Sequence, residues 1–527
     1  MEKLFKLKAN GTSVKTEIAA GLTTFMTMAY IIALNPNLLT NFRSGGGDEL
    51  WNAVFLATCL ASGIAMVCMA FWANKPFCLA PGMGLNSFFA LVVTQIASFT
   101  GASYIASFQA ALIIVLAEGI VFLVLTLCNV REKIVEAIPY GVRTGIAPAI
   151  GLMLLNIGIG SNAGVYDSNG NCFYVMRDFF GSLSATTVAA NMGDAYPTMV
   201  LTVVTMFLGL FAIVLMAKRG MRAAVILGML IASVIYWAGE AILLGVDPFA
   251  GLATASWVPA FGAMAELTLF KFNFATFLEM GWFTVITLII TFCMIDMFDT
   301  IGTLVGTASR AGMLDENGKM PQMKEAMLSD SVGTIVGACA GTSTVTTFVE
   351  SASGVEAGGR TGLTSLTCGI LFLACMFIAP IAAIIPAPAT SAALIYVGII
   401  MLSALKKIDL DDLDQVVPVA LMLIAMPVSG SIGHAIGIGL IAFTVMNVCS
   451  GKASKQYILT YVIAAIFLVK FFLVAYGAAR TVQRKAPCGL GDCIADLQGA
   501  FFMRSLWMRQ RRPLTCAYRE AWPRPSC

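Results

Sequence analysis

Charge is what this chain has least of. Asp, Glu, Lys and Arg make up 12% of its 527 residues, against roughly 25% in soluble globular proteins. Hydrophobic residues make up 58%, and mean hydropathy is +0.86. Such a composition excludes a soluble globular protein and implies an integral membrane protein with many spans, so spans rather than soluble cores set the domain count. Net charge is only +3, which carries no signal for nucleic acid. Histidine occurs once, as His434 between two late apolar runs, where it reads as structural. The fourteen cysteines are scattered, many inside apolar runs, and there they read as small packing residues, not disulfides or ligands. The first fifteen residues are polar and basic and no small-residue cleavage site follows the first apolar run, so no cleavable signal peptide is expected.

What the chain does have is long apolar runs. Lys3, Lys6, Lys8 and Lys15 precede the first, from Glu17 to Asn35-Pro36. Further spans are expected near 51–72, 78–95, 104–128, 139–160, 196–217 and 222–245, and then near 281–305, 328–341, 348–357, 361–385, 391–405, 416–430 and 432–449. Basic loops should alternate with non-basic ones. Lys75; Arg131, Lys133 and Arg143; Lys218, Arg219 and Arg222; Arg310, Lys319 and Lys324; Arg360; Lys406 and Lys407; and Lys452 and Lys455 fall on one side. The other holds only Arg43, Arg177 and Lys271, each near acids. Fourteen spans, with the N-terminus and the end of the last repeat span in the cytoplasm, fit this pattern.

Seven spans per half is odd, so two homologous halves would be inverted relative to one another. IPYGVRTGIAPAIGLML (138–154) resembles IPAPATSAALIYVGIIML (385–402); each opens a span after a proline. The third span of each half is irregular. CLAPGMGLNSFFA (78–90) carries Pro81, Gly82 and Gly84, and GTSTVTTFVESASG (341–354) is β-branched and polar. Each reads as a short extended piece followed by a half-helix, a backbone tolerated at membrane depth only inside protein or along a cavity. The expected fold is an all-α polytopic membrane protein of 7+7 inverted repeats whose broken spans meet at the midplane. The apolar stretch 457–476 is followed by a tail rich in arginine; it reads as an interfacial or packed helix, and the tail from about Arg480 as disordered or loosely attached.

Acids inside spans cost about 2.5–3.5 kcal/mol each on insertion scales when ionised at the centre. Asp296 and Asp299 stand three apart, on one helix face, with Phe292 and Thr303 extending it; Glu350 opens the second half-helix and Asn86 lies in the first. The functional reading is a polar stripe and two half-helix ends around a cavity. The structural alternative satisfies these groups with neighbouring hydroxyls and makes Asn86 a helix cap. A protease dyad needs two carboxylates facing each other to share a proton, which two acids on one helix face do not provide. Glu118, a lone acid in a continuous helix, is either a structural hydrogen-bond partner or part of a proton path. Glu356, beside the Gly358-Gly359-Arg360 turn, reads as cytoplasmic. Asp409, Asp411, Asp412 and Asp414 lack the glycine and terminal glutamate of a calcium loop and read as a solvated face. Asn10-Gly11-Thr12 falls on the cytoplasmic side and is discounted as a glycosylation acceptor. No metal site or cofactor is expected.

GTSVKTEIAAGLTTFMTMAYIIALNP, APGMGLNSFFA, IDMFDTIGTLVGTASRAGMLDENGKMP, TFVESASGVEAGGRTGL and IDLDDLDQVVP together resemble the AzgA-like guanine/hypoxanthine permeases of the nucleobase–ascorbate transporter superfamily, over about residues 4 to 455. The resemblance implies a core domain from 1–137 and 251–386 and a gate domain from 138–250 and 387–455; 456–527 is left as a terminal apolar helix and a tail that departs from the family pattern after about Ala478. It also implies proton-coupled uptake of purine bases across the cytoplasmic membrane, by a transporter and not an enzyme. The family's functional polar residues match Asn86, Asp296, Asp299 and Glu350. Asn86, Asp296, Glu350 and Phe348 are then expected to bind the base, and Asp299, Asp296 and Glu350 to couple the proton. Phe88, Phe292 and Phe348 are candidates to stack on the ring. The expected partners are the purine base, protons and lipid; a homodimer stays open. The alternative on the same architecture is an anion transporter or channel. Such a site favours cations or bare dipoles, whereas three acids favour a neutral substrate with N–H donors.

Overall fold

The computed structural model describes residues 2–41, 43, 45–128, 138–160, 163, 165, 179–193, 195–221, 223–250, 256–310, 313, 320–429, 432–469 and 471. The expectations that rest on Arg131, Lys133, Arg177, Arg222, Lys319 and the tail from Arg480 lie outside these residues. Met1–Phe467 form one compact unit and Leu468–Cys527 a second.

Helices account for almost all of the described structure. Ten are long and apolar enough to cross a membrane: Val14–Leu39, Gly47–Ala73, Met83–Thr100, Tyr104–Leu127, Tyr140–Ile159, Tyr196–Lys218, Ala224–Leu244, Trp282–Ile301, Gly362–Ala383 and Ala387–Lys407. Helices also occupy the four remaining expected positions, as Met323–Ala340, Ser351–Glu356, Leu413–Ser429 and Ile432–Cys449. Lys455–Val469 is apolar but short of the roughly 20 residues that a span needs. The surface shows why this set requires lipid. On Tyr196–Lys218, Val200, Val204, Leu208, Phe211 and Leu215 are all exposed; their spacing of three and four puts them in one stripe, which hydrocarbon and not water would cover.

The two irregular segments contain the short strands β1 (Leu79–Pro81) and β2 (Val345–Thr347). They pair antiparallel, Leu79 opposite Thr347 and Pro81 opposite Val345. The ladder continues past both ends: Gly82 N–H donates to Thr344 O at 3.0 Å and Phe348 N–H to Cys78 O at 2.9 Å. β1 runs into the helix Met83–Thr100 and β2 into Ser351–Glu356. The expected extended piece plus half-helix is therefore present in both halves, although the second helix is only 6 residues long.

The two similar segments that begin after Pro139 and Pro386 form the helices Tyr140–Ile159 and Ala387–Met401, with that proline at the N-cap of each. Gly151 and Gly398 hold equivalent places in them and face each other. A Cβ on Gly151 would lie 2.6 Å from Gly398 O, and one on Gly398 2.7 Å from Gly151 O. Small residues let helix backbones approach this closely in membranes, and the reciprocity of the contact is what a two-fold relation between halves produces.

Gly151→Val should therefore overpack this crossing, at a cost of about 1–3 kcal/mol. The expected result is a smaller monodisperse peak for a fluorescent fusion on size exclusion and a lower melting midpoint; an unchanged profile would show that the crossing has slack.

Candidate functional site

A cavity of about 440 Å³ opens against the broken segments. Its walls come from both halves: Thr27 and Tyr30 from the first helix, Gly82 and Met83 after β1, Asp299, the stretch Thr347–Glu350, and Tyr396. The sequence places these groups together for local reasons. The first helix breaks between Met28 and Ile31, which sets Tyr30 at a kink. Gly82 leaves room beside Asp299: a Cβ there would collide with Thr346 Cγ2 at 2.5 Å and stand 3.6 Å from Asp299 Oδ2.

Glu350, Asp299 and Phe348 line this cavity. Tyr30 Oη donates to Glu350 Oε1 at 2.8 Å, which fixes one carboxylate oxygen. Asp299 is half-buried and also lines a second cavity of about 250 Å³. Glu356, expected on the cytoplasmic side, lines the first cavity as well.

Asp296 and Asn86 are fully buried and line neither cavity. Asn86 Nδ2 donates to Pro81 O at 3.0 Å, and Ser343 Oγ donates to Asn86 Oδ1. The side chain thus ties the end of β1 to the second half. It also lies a full turn beyond its helix's N-cap, Gly82, whereas Glu350 is itself an N-cap, so the two residues are not positional equivalents. Asp296 stands on the inner side of its helix. Thr300 Oγ1 lies 3.1 Å from Asp296 Oδ1, 3.0 Å from Asp330 Oδ1 and 2.6 Å from Thr346 Oγ1. Glu118 Oε2 accepts from Thr344 Oγ1 at 2.7 Å and is buried; it braces the broken segment from the neighbouring helix. Of the three aromatic candidates, Phe88 and Phe292 pack on each other, with ring centres 4.7 Å apart, and Phe348 alone lines the cavity.

Three residues at or behind the site were not singled out from the sequence. Tyr30 and Tyr396 each read as one more aromatic inside an apolar run, and nothing local marks them. Asp330 could have been found, since it is an acid within the expected span 328–341, the criterion that selected Asp296. No cluster of three or more His, Cys, Asp or Glu side chains with metal-ligand geometry occurs among the described residues.

The chain matches the model of a family described as "Permease family" over residues 15–429. It is 36% identical to "Adenine permease AdeQ" of Escherichia coli (strain K12) over 476 residues, which cover 90% of this chain and 96% of that protein. It is 34% identical to "Guanine/hypoxanthine permease PbuO" of Bacillus subtilis (strain 168) over 473 residues, covering 89% of this chain and 100% of that one. Among solved structures it resembles the transmembrane domain of a cyanobacterial bicarbonate transporter, BicA, with a TM-score of 0.54 at 15% identity, over 81% of this chain and 97% of that one. It also resembles the murine anion transporter Slc26a9 in its inward-facing state, with a TM-score of 0.54 at 12% identity, over 83% and 68%. At such identities the likeness is one of fold: the inverted-repeat transporter architecture expected from the sequence.

Tyr30→Phe keeps the ring and removes the donor to Glu350. Hydrogen bonds to charged groups contribute about 1.5–3 kcal/mol, so the melting midpoint of the detergent-solubilised protein is expected to fall. A midpoint equal to wild type would mean that this contact contributes nothing to the fold.

Proposed function

Because the chain belongs to this permease family, we propose that it imports purine bases, hypoxanthine and guanine with adenine as a further substrate, by proton symport across the cytoplasmic membrane. The proposal includes fourteen spans, a cytoplasmic N-terminus, and a core (1–137 and 251–386) that moves against a gate (138–250 and 387–455). The names of the relatives support purine transport, since guanine, hypoxanthine and adenine all appear in them.

The observation that carries the reading is the cavity that brings Glu350, Asp299 and Phe348 together within membrane-spanning structure. A 6-oxopurine presents a ring N–H beside a carbonyl, and guanine adds an amino group. A carboxylate accepts such hydrogens and an aromatic face covers the ring. Glu350, pinned by Tyr30 on one oxygen, is assigned to the N–H donors, and Phe348 to the ring. Asn86 and Asp296 support the site from behind through the bonds that hold β1 and Thr300. An acid-lined cavity is unfavourable for a free anion, which sets this reading above anion transport on the same fold.

The proton is assigned to the acids. The single hydrogen of Thr300 can serve only one of its two carboxylate neighbours. A carboxyl proton would complete the contact with the other, so Asp296 and Asp330 form a place to hold a proton one helix turn behind Asp299.

Two outcomes are expected. In Glu350→Gln an amide N–H can face the substrate's own donor, so hypoxanthine binding normalised to folded protein should weaken by about tenfold or more. Glu350→Asp, which keeps the charge, should lose less; wild-type affinity in Glu350→Gln would remove this residue from the site. Separately, uptake by cells lacking other purine transporters should rise as external pH falls and collapse with a protonophore. Uptake indifferent to both would exclude proton symport.

A further inference from the structure

The second cavity has a different chemistry from the first. It shares a wall with it through Asp299, Val349, Ala352, Ile400 and Met401. On its far side stand two cations, Arg143 and Lys407. Tyr140 links them: the Arg143 guanidinium carbon lies 5.4 Å from the centre of its ring, and its hydroxyl donates to Lys407 O at 3.2 Å. Both chain segments are thereby held on one rim.

Neither cation has a counter-ion among the described residues, whose ion pairs are Arg43–Asp48 and Lys452–Asp414. Two like charges held on one rim repel, and a concave wall concentrates their field, so the arrangement favours an anion. A guanidinium suits the planar, two-point recognition of phosphate oxygens, with an ammonium as a point charge beside it. A phosphomonoester carries roughly −1.5 to −2 at neutral pH, which matches two cations. Thr303 and Ser403 also line this cavity, and their hydroxyls are polar partners of the kind a sugar needs.

We propose that purine nucleoside 5′-monophosphates bind across the two cavities, the base in the first and the phosphate at Arg143 and Lys407, and so block the transporter from the side that carries these cations. The proposal rests on the purine reading of the first cavity. Its logic is that of a product acting back: a reaction class that joins an imported base to a ribose phosphate yields a ligand too charged to cross and shaped to occupy both cavities. The competing source of phosphate is a lipid headgroup.

The test uses the full chain in nanodiscs of zwitterionic lipid, which leave both faces accessible. Displacement of radiolabelled hypoxanthine is compared for inosine 5′-monophosphate, inosine and inorganic phosphate. The nucleotide should displace at about tenfold lower concentration than the nucleoside, a gap of the size expected for one charge-assisted contact. Phosphate alone should displace nothing. Lys407→Gln and Arg143→Gln should each close most of the gap while hypoxanthine affinity stays as in wild type. Lys407 is exposed, so its variant carries the test even if Arg143→Gln does not fold. Equal potency of nucleotide and nucleoside, or an undiminished gap in Lys407→Gln, would overturn the proposal. So would loss of the gap on adding phosphatidylglycerol at fixed ionic strength, because the cations would then belong to lipid. Absence of hypoxanthine binding in wild type would bring down the purine reading and this proposal with it, whereas intact binding without a nucleotide preference brings down this proposal alone.

Discussion

In hydrocarbon each backbone N–H and C=O that lacks a partner costs several kcal/mol, and two segments of this protein leave the helical conformation among its apolar helices. They satisfy each other. β1 and β2 pair across the two halves, and the ladder continues through Gly82 to Thr344 and through Phe348 to Cys78. Pro81, which has no N–H, lies opposite Val345 beside the bonded Gly82–Thr344 position, and in the alternation of an antiparallel ladder that place needs no donor. Everything else near the cavity follows from this pairing. It fixes where the helix after β1 begins and where Glu350 turns in. Asn86, Glu118 and Thr300 are all bonded to residues of these two segments.

The same scarcity of charge governs how the acids are held. The described ion pairs lie at the periphery, and buried acids are met instead by hydroxyls and amides. Glu17 accepts from Thr364 Oγ1 at 2.6 Å and from the backbone of Arg360 at 2.8 Å. Glu118 is met by Thr344 and Glu350 by Tyr30. A neutral donor stabilises a carboxylate less than a cation would, yet it adds no second charge to desolvate. Acids held in this way keep the capacity to take up a proton or a ligand's N–H.

Much of this was legible in the sequence because the bilayer leaves few alternatives. A run of about twenty apolar residues has to be a helix. Pro81, Gly82 and Gly84, and the run Thr342 to Thr347, cannot continue one, so both broken spans could be read directly. The inverted arrangement followed from the expected seven spans per half, and Gly151 opposite Gly398 gives it a physical contact. The acids were found because acids are rare. Finer facts depend on a single helical turn. Asp296 and Asp299 share a face by spacing, yet one is fully buried against Thr300 while the other reaches the cavity. Asn86 and Glu350 both belong to the half-helices, but the first lies a turn deeper in its helix while the second caps its own. Tyr30 escaped notice because its role comes from a kink and from a partner more than three hundred residues away.

The pairing of β1 with β2 also bears on how such a chain is made. The strands lie roughly half the chain apart. When the first half enters the bilayer during synthesis, the backbone of Leu79–Pro81 has no partner, and none exists until the second half has been translated. The first broken segment therefore has to wait out of lipid, in water or within a sheltering protein surface, and can enter only together with its counterpart. Contacts this distant in sequence form late. The cavity against these strands is accordingly one of the last features of the molecule to exist, and half a chain cannot contain a rudimentary version of it.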